Sequence, residues 1–590
     1  MSSVPSPQGW IISRQWDLLF FIGTPLISLA VLLLASNYFT SADIALFVLA
    51  FFAVGHHLPG LIRAYGEKEL FEQYRIRFVV APLVIMAFVG WSVFNGHLGF
   101  FIFLALWDMW HFFMQHYGFM RIYDIKRHKP SPLSARLDWW LTAVWFGYIV
   151  AASPHYLINF LERCHRYGFG FYTWVEPDFI FSLRDAMLFL ALGLSAVYVI
   201  NLVRETRRGA PIIWPKLAIS ATTFATVYYA YIVLEDVILG YAITALAHDI
   251  QYFAIVWIYN HGVMKRSNEL GRSLFRLLFK DGRLRIVLFY LALILAYGGI
   301  EALARATHNH LIYDVVKVVI ATSAFMHYYY DGFMWKVRKK SIRRNFTDEV
   351  GGEENPRRGW ERLTEWWQDA RSRSRGLAYA FETGKQVVYF GLPIVFLAWT
   401  DTTYSITDVS AKEYLTRLAP EVPKAHDDLG IALSRHGKVD QSITAHEQAI
   451  ATDPEFAPAY THLGIAHSRK GDPKTAIGYH QRAIELDPEL ARAHFNLGVE
   501  YSKMGRSAEA LRAFARAVEL DAQYFRAHMA LAETYRKLGQ QPEAMRHLAQ
   551  AKALHAASQR KDLTLSAMPW ATGTPIKGDS SDRTMSAERP

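Results

Sequence analysis

A single cysteine, Cys164, stands among 590 residues. This excludes both a disulfide framework and a cysteine-ligated metal site, so any metal must be held by histidine and carboxylate. The glycine-rich fingerprint of a flavin or nicotinamide site is also missing, so reducing electrons would have to come from a separate protein. The opening stretch MSSVPSPQGWIISRQWDLLFFIGTPL lacks a basic leader with a small-residue cleavage site and reads as a retained first span. Evenness of composition is lacking too. The chain is 52% hydrophobic, but nearly all the long apolar runs lie before about residue 400, and the last third is charged and alanine-rich. A shift of that kind marks at least two domains. The net charge of +10 does not point to nucleic acid, because the basic residues of the first part sit in short clusters between apolar runs, where membrane topology accounts for them.

A span needs about 20 mostly apolar residues. Candidates run over 17–35, 42–62, 76–94, 97–120, 138–154, 181–203, 212–234, 238–262, 284–302 and 311–335. The even-numbered ones are followed by basic clusters: Arg63, Arg75 and Arg77; Arg121, Lys126 and Arg127; Arg204, Arg207 and Arg208; Lys265, Arg266 and Arg272; Lys336, Arg338 and Lys339. Those ends, and the N-terminus with them, are therefore expected in the cytoplasm of a bacterial inner membrane. The intervening loops are short or less basic, apart from the one around 155–180, which carries Arg163 and Arg166. Residues 386–400, with Pro393, read as a marginal eleventh span. The expected fold is all-α, a polytopic transmembrane bundle over 1–340. An amphipathic linker follows over 341–424, then a repeat region over 425–555 and a disordered tail over 556–590.

Histidines mark the ends of four of these spans. His56, His57, His111, His116, His261 and His327 lie within about three turns of the first cytoplasmic basic residue, while His248 is deeper. His97, His155, His165, His308 and His310 fall at the opposite face. His327 and Asp331 are four apart and share a helix face, as do His248 and Tyr252. His111 and His116 are five apart, about 140° around an ideal helix, so one centre can use both only if the helix bulges or ends between them. Ionisable groups in a bilayer are costly and tend to be functional. The metal-ligand candidates are thus His56, His57, His111, His116, His248, His261, His327 and Asp331. Asp108, Gln115, Asp249 and Tyr252 are candidates for orienting those ligands. The plainer reading is that the imidazoles hydrogen-bond between helices.

The segments HH at 56–57, HFFMQH at 111–116, HDIQY at 248–252 and HYYYDG at 327–332 resemble the histidine-box integral-membrane non-haem di-iron enzymes. These are the desaturases and hydroxylases and, more loosely, the bacteriorhodopsin-related carotenoid dioxygenases. HFFMQH has the spacing of a first desaturase box, but an H-x-x-H-H box is missing and the spans are more numerous than is usual. The resemblance covers about 40–340. It implies a pair of irons, dioxygen, a greasy substrate entering from the bilayer and an external reductase.

From about 425 the chain repeats every 34 residues. Ala425, Ala459, Ala493 and Ala527 keep that interval, as do Leu429, Leu463, Leu497 and Leu531, and Gly437, Gly471, Gly505 and Gly539. The pattern resembles the tetratricopeptide repeat, which implies a protein-binding superhelix and places His426, His494 and His528 at an aromatic packing position. If 386–400 spans, the array is extracytoplasmic; if it lies on the surface, the array is cytoplasmic. The reading that follows is a membrane-embedded oxidative enzyme acting on a lipid or isoprenoid, with a protein-binding array. Two alternatives stay open: a membrane glycosyltransferase using a lipid-linked sugar, or a non-enzymatic scaffold or transporter.

Overall fold

The structure, a computed structural model, describes residues 9–95, 99–127, 131–166, 168–266, 271–280, 284–306, 309–334 and 407–565, together with Gly384 and Val388. Among the described residues the chain is helical without strands, apart from an isolated bridge between Glu67 and Gly271. It divides into two compact units, one of residues 1–153, 167–169 and 183–405, the other of 154–166, 170–182 and 406–590. The sequence reading had left the stretch around 155–180 with the membrane domain.

The main helices of the first part are α1 (Thr24–Ala35), α2 (Ser41–Phe47), α3 (His57–Gly66), α4 (Arg75–Phe94), α5 (Phe100–Arg127), α6 (Pro132–Ala152), α7 (Pro154–Arg166), α8 (Pro177–Arg207), α9 (Trp214–Tyr228), α10 (Val237–Arg266), α11 (Leu284–Ala306) and α12 (His310–Met334). α7 belongs to the second unit. Prolines in the first turn start α1, α6 and α9, where a missing N–H costs nothing. Thr40 and Ser131 cap α2 and α6 through their hydroxyls.

Three stretches wind more widely than an α-helix, with bonds from Gly23 N–H to the Leu18 carbonyl at 2.8 Å, Val54 to Leu49 at 3.0 Å and Leu234 to Tyr229 at 2.8 Å. Such turns are uncommon and concentrate at functional sites. The second of them ends α2, and the break that follows sets His56 and His57 at the head of α3. Close packing holds that break in place. A Cβ on Gly298 of α11 would lie 2.3 Å from the Ala50 carbonyl oxygen, and one on Gly55 would meet Ile294 Cγ2 at 2.8 Å.

Ten spans were expected. Among the described residues five helices are long and apolar enough to cross a membrane: Ser41–Gly66, Arg75–Phe94, Pro177–Arg207, Val237–Lys265 and Leu311–Gly332. They become seven if Arg14–Ile22 with Thr24–Ala35, and Pro132–Ala152 with Pro154–Arg166, each count as one bent span. The shortfall has physical causes. α5 is 28 residues long but carries Asp108, His111, Gln115 and His116 in its middle. α9 is 15 residues long before the chain winds wider, and the apolar part of α11 is short, Leu284–Ile300. The segments 341–406, including 386–400, and the tail beyond 565 lie outside the described residues, apart from Gly384 and Val388.

In the second unit α13 (Asp408–Leu418) precedes four helix pairs: α14 (Pro423–Arg435) with α15 (Val439–Thr452), α16 (Ala457–Arg469) with α17 (Pro473–Leu486), α18 (Ala491–Lys503) with α19 (Ser507–Leu520), and α20 (Phe525–Lys537) with α21 (Gln541–Leu565). Gly437, Gly471, Gly505 and Gly539 turn each pair at φ of 76°, 84°, 75° and 75°, a region that L side chains enter only with strain. Gly430, Gly464 and Gly498 leave room for the rings of His446, His480 and Phe514. His426, His494 and His528 each bond the carbonyl six residues earlier, as Tyr460 does, and tie down the link between repeats. α13 also fastens the 154–182 stretch to the array. Lys412 Nζ reaches Glu162 at 2.7 Å, and the Tyr414 hydroxyl donates to the Val175 carbonyl at 2.6 Å. Burial would raise the Glu162 carboxyl, but Lys412 and Lys424 outweigh it and hold it down to about 2.

Candidate metal centre and repeat array

Five imidazoles converge in the first unit. α3 brings His56 and His57, α5 His111, α10 His248 and α12 His327, and all five are buried. His56 lies at ring-centroid distances of 4.6 Å from His57, 5.2 Å from His248 and 4.5 Å from His327. His111 lies 5.1 Å from His248 and 4.8 Å from His327. Its Nε2 is 3.1 Å from that of His327, and Asp331 Oδ2 is 3.6 Å from one of these atoms and 3.8 Å from the other. Two donor groups of ligating size result, His56–His248–His327 and His111–His327–Asp331, in each of which the ligand atoms lie within 4.8 Å of one another.

Ordinary hydrogen bonding does not account for the whole cluster. Neither ring nitrogen of His248 has a hydrogen-bond partner among the described residues, and neither does Nδ1 of His327. A buried polar atom in that state is destabilising unless something else satisfies it. The surrounding groups look like positioning partners. Asp249 lies 2.9 Å from His56 Nδ1, and Ser323 Oγ lies 2.9 Å from His57 Nδ1. The Tyr252 hydroxyl donates to Asp331 at 3.1 Å. Asp108 accepts from Tyr241 and Tyr328, both at 2.8 Å, and the Gln115 amide donates to the His248 carbonyl at 3.1 Å. Beside His56 and His248 lies a cavity of about 30 Å³, lined also by Met109, Phe112, Phe113 and Asp108. Gly60 keeps space open on another side: a Cβ there would sit 2.9 Å from the Tyr252 hydroxyl and 3.5 Å from His327 Nδ1.

Two candidates stay apart. α5 runs unbroken through 111–116, so His116 points away from His111 and its ring instead lies 5.7 Å from that of Phe224, with neither nitrogen hydrogen-bonded among the described residues. His261 is 13 residues along α10 from His248, about 20 Å of helical rise. It bonds the Phe279 carbonyl through Nδ1 at 2.7 Å. Sequence reasoning passed over Ser323, Tyr241 and Tyr328. The first two lie four residues before His327 and seven before His248, on the ligand face, so helical spacing alone was a usable signal.

In the repeat unit the 34-residue period is matched by four stacked helix pairs. Two tetratricopeptide-repeat family profiles match residues 455–523 and 495–559. This part of the chain is a tetratricopeptide-repeat array. Similar solved structures are those of MamA (24% identity, 26% of this chain and 89% of that one, TM-score 0.23) and of MamA 41-end from Desulfovibrio magneticus RS-1 (22%, 25% and 85%, 0.23). Another is the first tetratricopeptide domain of Spaghetti (RPAP3) bound to an HSP90 peptide (20%, 20% and 93%, 0.19). No curated protein matches the chain. Within the tetratricopeptide array Asp427 Oδ1 is 2.8 Å from His446 Nδ1 and 2.9 Å from His462 Nδ1. Burial would raise the Asp427 carboxyl, but these two imidazoles overcome it and hold it well below the ordinary carboxylate range. Next along, His480 is fully buried with neither nitrogen hydrogen-bonded among the described residues, and burial lowers it to about 4.

Proposed function

We propose that the first unit is a membrane-embedded, metal-dependent oxidative enzyme acting on a lipid or isoprenoid, and that the tetratricopeptide array binds a protein partner. The observation that carries this reading is the convergence of His56, His57, His111, His248, His327 and Asp331, with ring nitrogens of His248 and His327 left for a ligand. Imidazole with one carboxylate is a donor set that suits iron, and iron bound there would supply the redox chemistry toward dioxygen that side chains lack. Because His327 belongs to both donor groups, their five side chains form one continuous site, with His57 beside it, that would hold two ions.

The protein's own part is positioning and exclusion. Asp249 stands 2.9 Å from His56 Nδ1, placed to orient that imidazole, and the Tyr252 hydroxyl holds Asp331. Met109, Phe112 and Phe113 give the cavity beside the imidazoles an apolar wall. α4 and α8 turn large apolar side chains outward, with Leu83 at 65%, Phe189 at 74% and Ile200 at 66% exposure, which suits lipid contact and an apolar substrate arriving through the bilayer. A reductase would deliver the electrons.

The expected alternation of spans puts the stretch 154–182 on the side opposite the basic clusters, although it carries Arg163 and Arg166, and most of it belongs to the unit of the tetratricopeptide array. This favours an extracytoplasmic array. The test of function is the lipid and pigment profile of a deletion strain beside strains complemented with the unchanged gene or with His327→Gln. Accumulation of one apolar precursor, relieved only by the unchanged gene, is the expected result; equal relief by His327→Gln would overturn it.

A further inference from the structure

We propose that Asp427, His446 and His462 form a divalent transition-metal site that clamps the first tetratricopeptide repeat to the second. Asp427 is on α14, His446 on α15 and His462 on α16, so the three donors come from both helices of one repeat and the first helix of the next. Their ligand atoms lie within 4.8 Å of one another, with Asp427 and His446 at 3% and 1% exposure. Nδ1 of each imidazole already points at the carboxylate, at 2.8 Å and 2.9 Å. Donors around a tetrahedral ion at ordinary zinc–nitrogen distances are about 3.3 Å apart, so an ion would replace the two imidazole–carboxylate hydrogen bonds, with the carboxylate drawing back by on the order of 1 Å to admit it.

The repeat itself shows that the trio is not required by the fold. Where Asp427 stands, the following repeats carry Thr461, Phe495 and Met529. His446 is matched by His480, Phe514 and Leu548, and His462 by Asn496 and Ala530 after it. A carboxylate at a position otherwise filled by threonine, phenylalanine or methionine needs compensation for its buried charge. The two imidazoles hydrogen-bond to the carboxylate, and a divalent ion among the three donors would take the place of those bonds. Two nitrogens and one carboxylate oxygen suit a borderline ion of the zinc class. The His462 side chain keeps 14% exposure, which gives a fourth ligand, water, a way in. The site is independent of the membrane-unit cluster, with which it shares no residue.

The test is cobalt(II) titration of the full chain in detergent, followed by visible absorption and by counting bound ions. It uses the unchanged protein, His462→Asn and Asp427→Thr, each also carrying His327→Gln to separate the membrane cluster. Asn496 and Thr461 show that the second and third repeats already accept the two new side chains. The expected result is a loss of about one equivalent in both variants, with or without His327→Gln. Equal binding by the unchanged chain and the variants, or no binding beyond the membrane cluster, overturns the proposal. Should both variants unfold, zinc added to His327→Gln alone decides: it raises the melting temperature of the repeat transition if the site exists and leaves it unmoved if it does not.

Discussion

His327 sits where the two donor groups overlap, and its neighbours show how much of the site is positioning. Asp249 lies 2.9 Å from His56 Nδ1. Asp249→Asn is therefore expected to lower iron affinity by about 10–100-fold while leaving the helical circular dichroism unchanged, as measured by competition with a chelator. Unaltered affinity would remove Asp249 from the account. His480 offers a separate check in the array. Burial depresses it from 6.5 to about 4, so the folded array binds fewer protons than the unfolded chain between those limits. Its contribution is present above pH 6.5 and lost as pH falls toward about 4, at most about 3 kcal/mol over the range. His480→Phe copies Phe514, the residue of the next repeat, and should flatten the dependence of the array's unfolding midpoint between pH 7 and pH 4.5. A slope identical to that of the unchanged protein would count against it.

At the scale of helices and turns, conformational demands are easiest to isolate. Gly471 turns its helix pair at φ 84° with nothing near its missing Cβ, so Gly471→Ala tests backbone strain without a steric clash. A loss of about 1–2 kcal/mol is expected by denaturant titration of the array. Gly298→Ala tests the opposite case, since its Cβ would press on backbone atoms of Ala50 and Phe51. It should displace the wide turn ahead of His56 and weaken metal binding as well as stability, the latter by about 1–3 kcal/mol. Unchanged metal affinity in a destabilised Gly298→Ala protein would uncouple the turn from the site.

These elements also show what could be read in advance. The 34-residue interval was legible because glycine and leucine recur at positions that every repeat must fill alike. Convergence of His56, His57, His111, His248 and His327 was legible from polar residues inside apolar runs. Depth was not. Basic clusters report which way a helix points, and they made His261 look near and His248 look remote, whereas an unbroken α10 places His261 about 20 Å of rise away. Of the ten expected spans, five to seven are long and apolar enough among the described residues, for a related reason: in α5 the polar residues that build the cluster lower the apolarity by which a span is recognised. Asp427, His446 and His462 were hidden by the repeat pattern, which makes histidines there look like packing residues.

For the whole molecule, topology links the two units to their roles. An extracytoplasmic array predicts that alkaline phosphatase fused after residue 565 is active in a bacterial host and that a fusion after Arg208 is not; the reverse pattern would put the array in the cytoplasm. The account as a whole stands on the first unit holding iron. The most direct measurement is metal analysis of the full-length protein purified without oxygen, beside His327→Gln prepared identically. The account predicts stoichiometric iron in the first and its loss in the second with helical content intact; iron near zero in both, even after reconstitution, would contradict it.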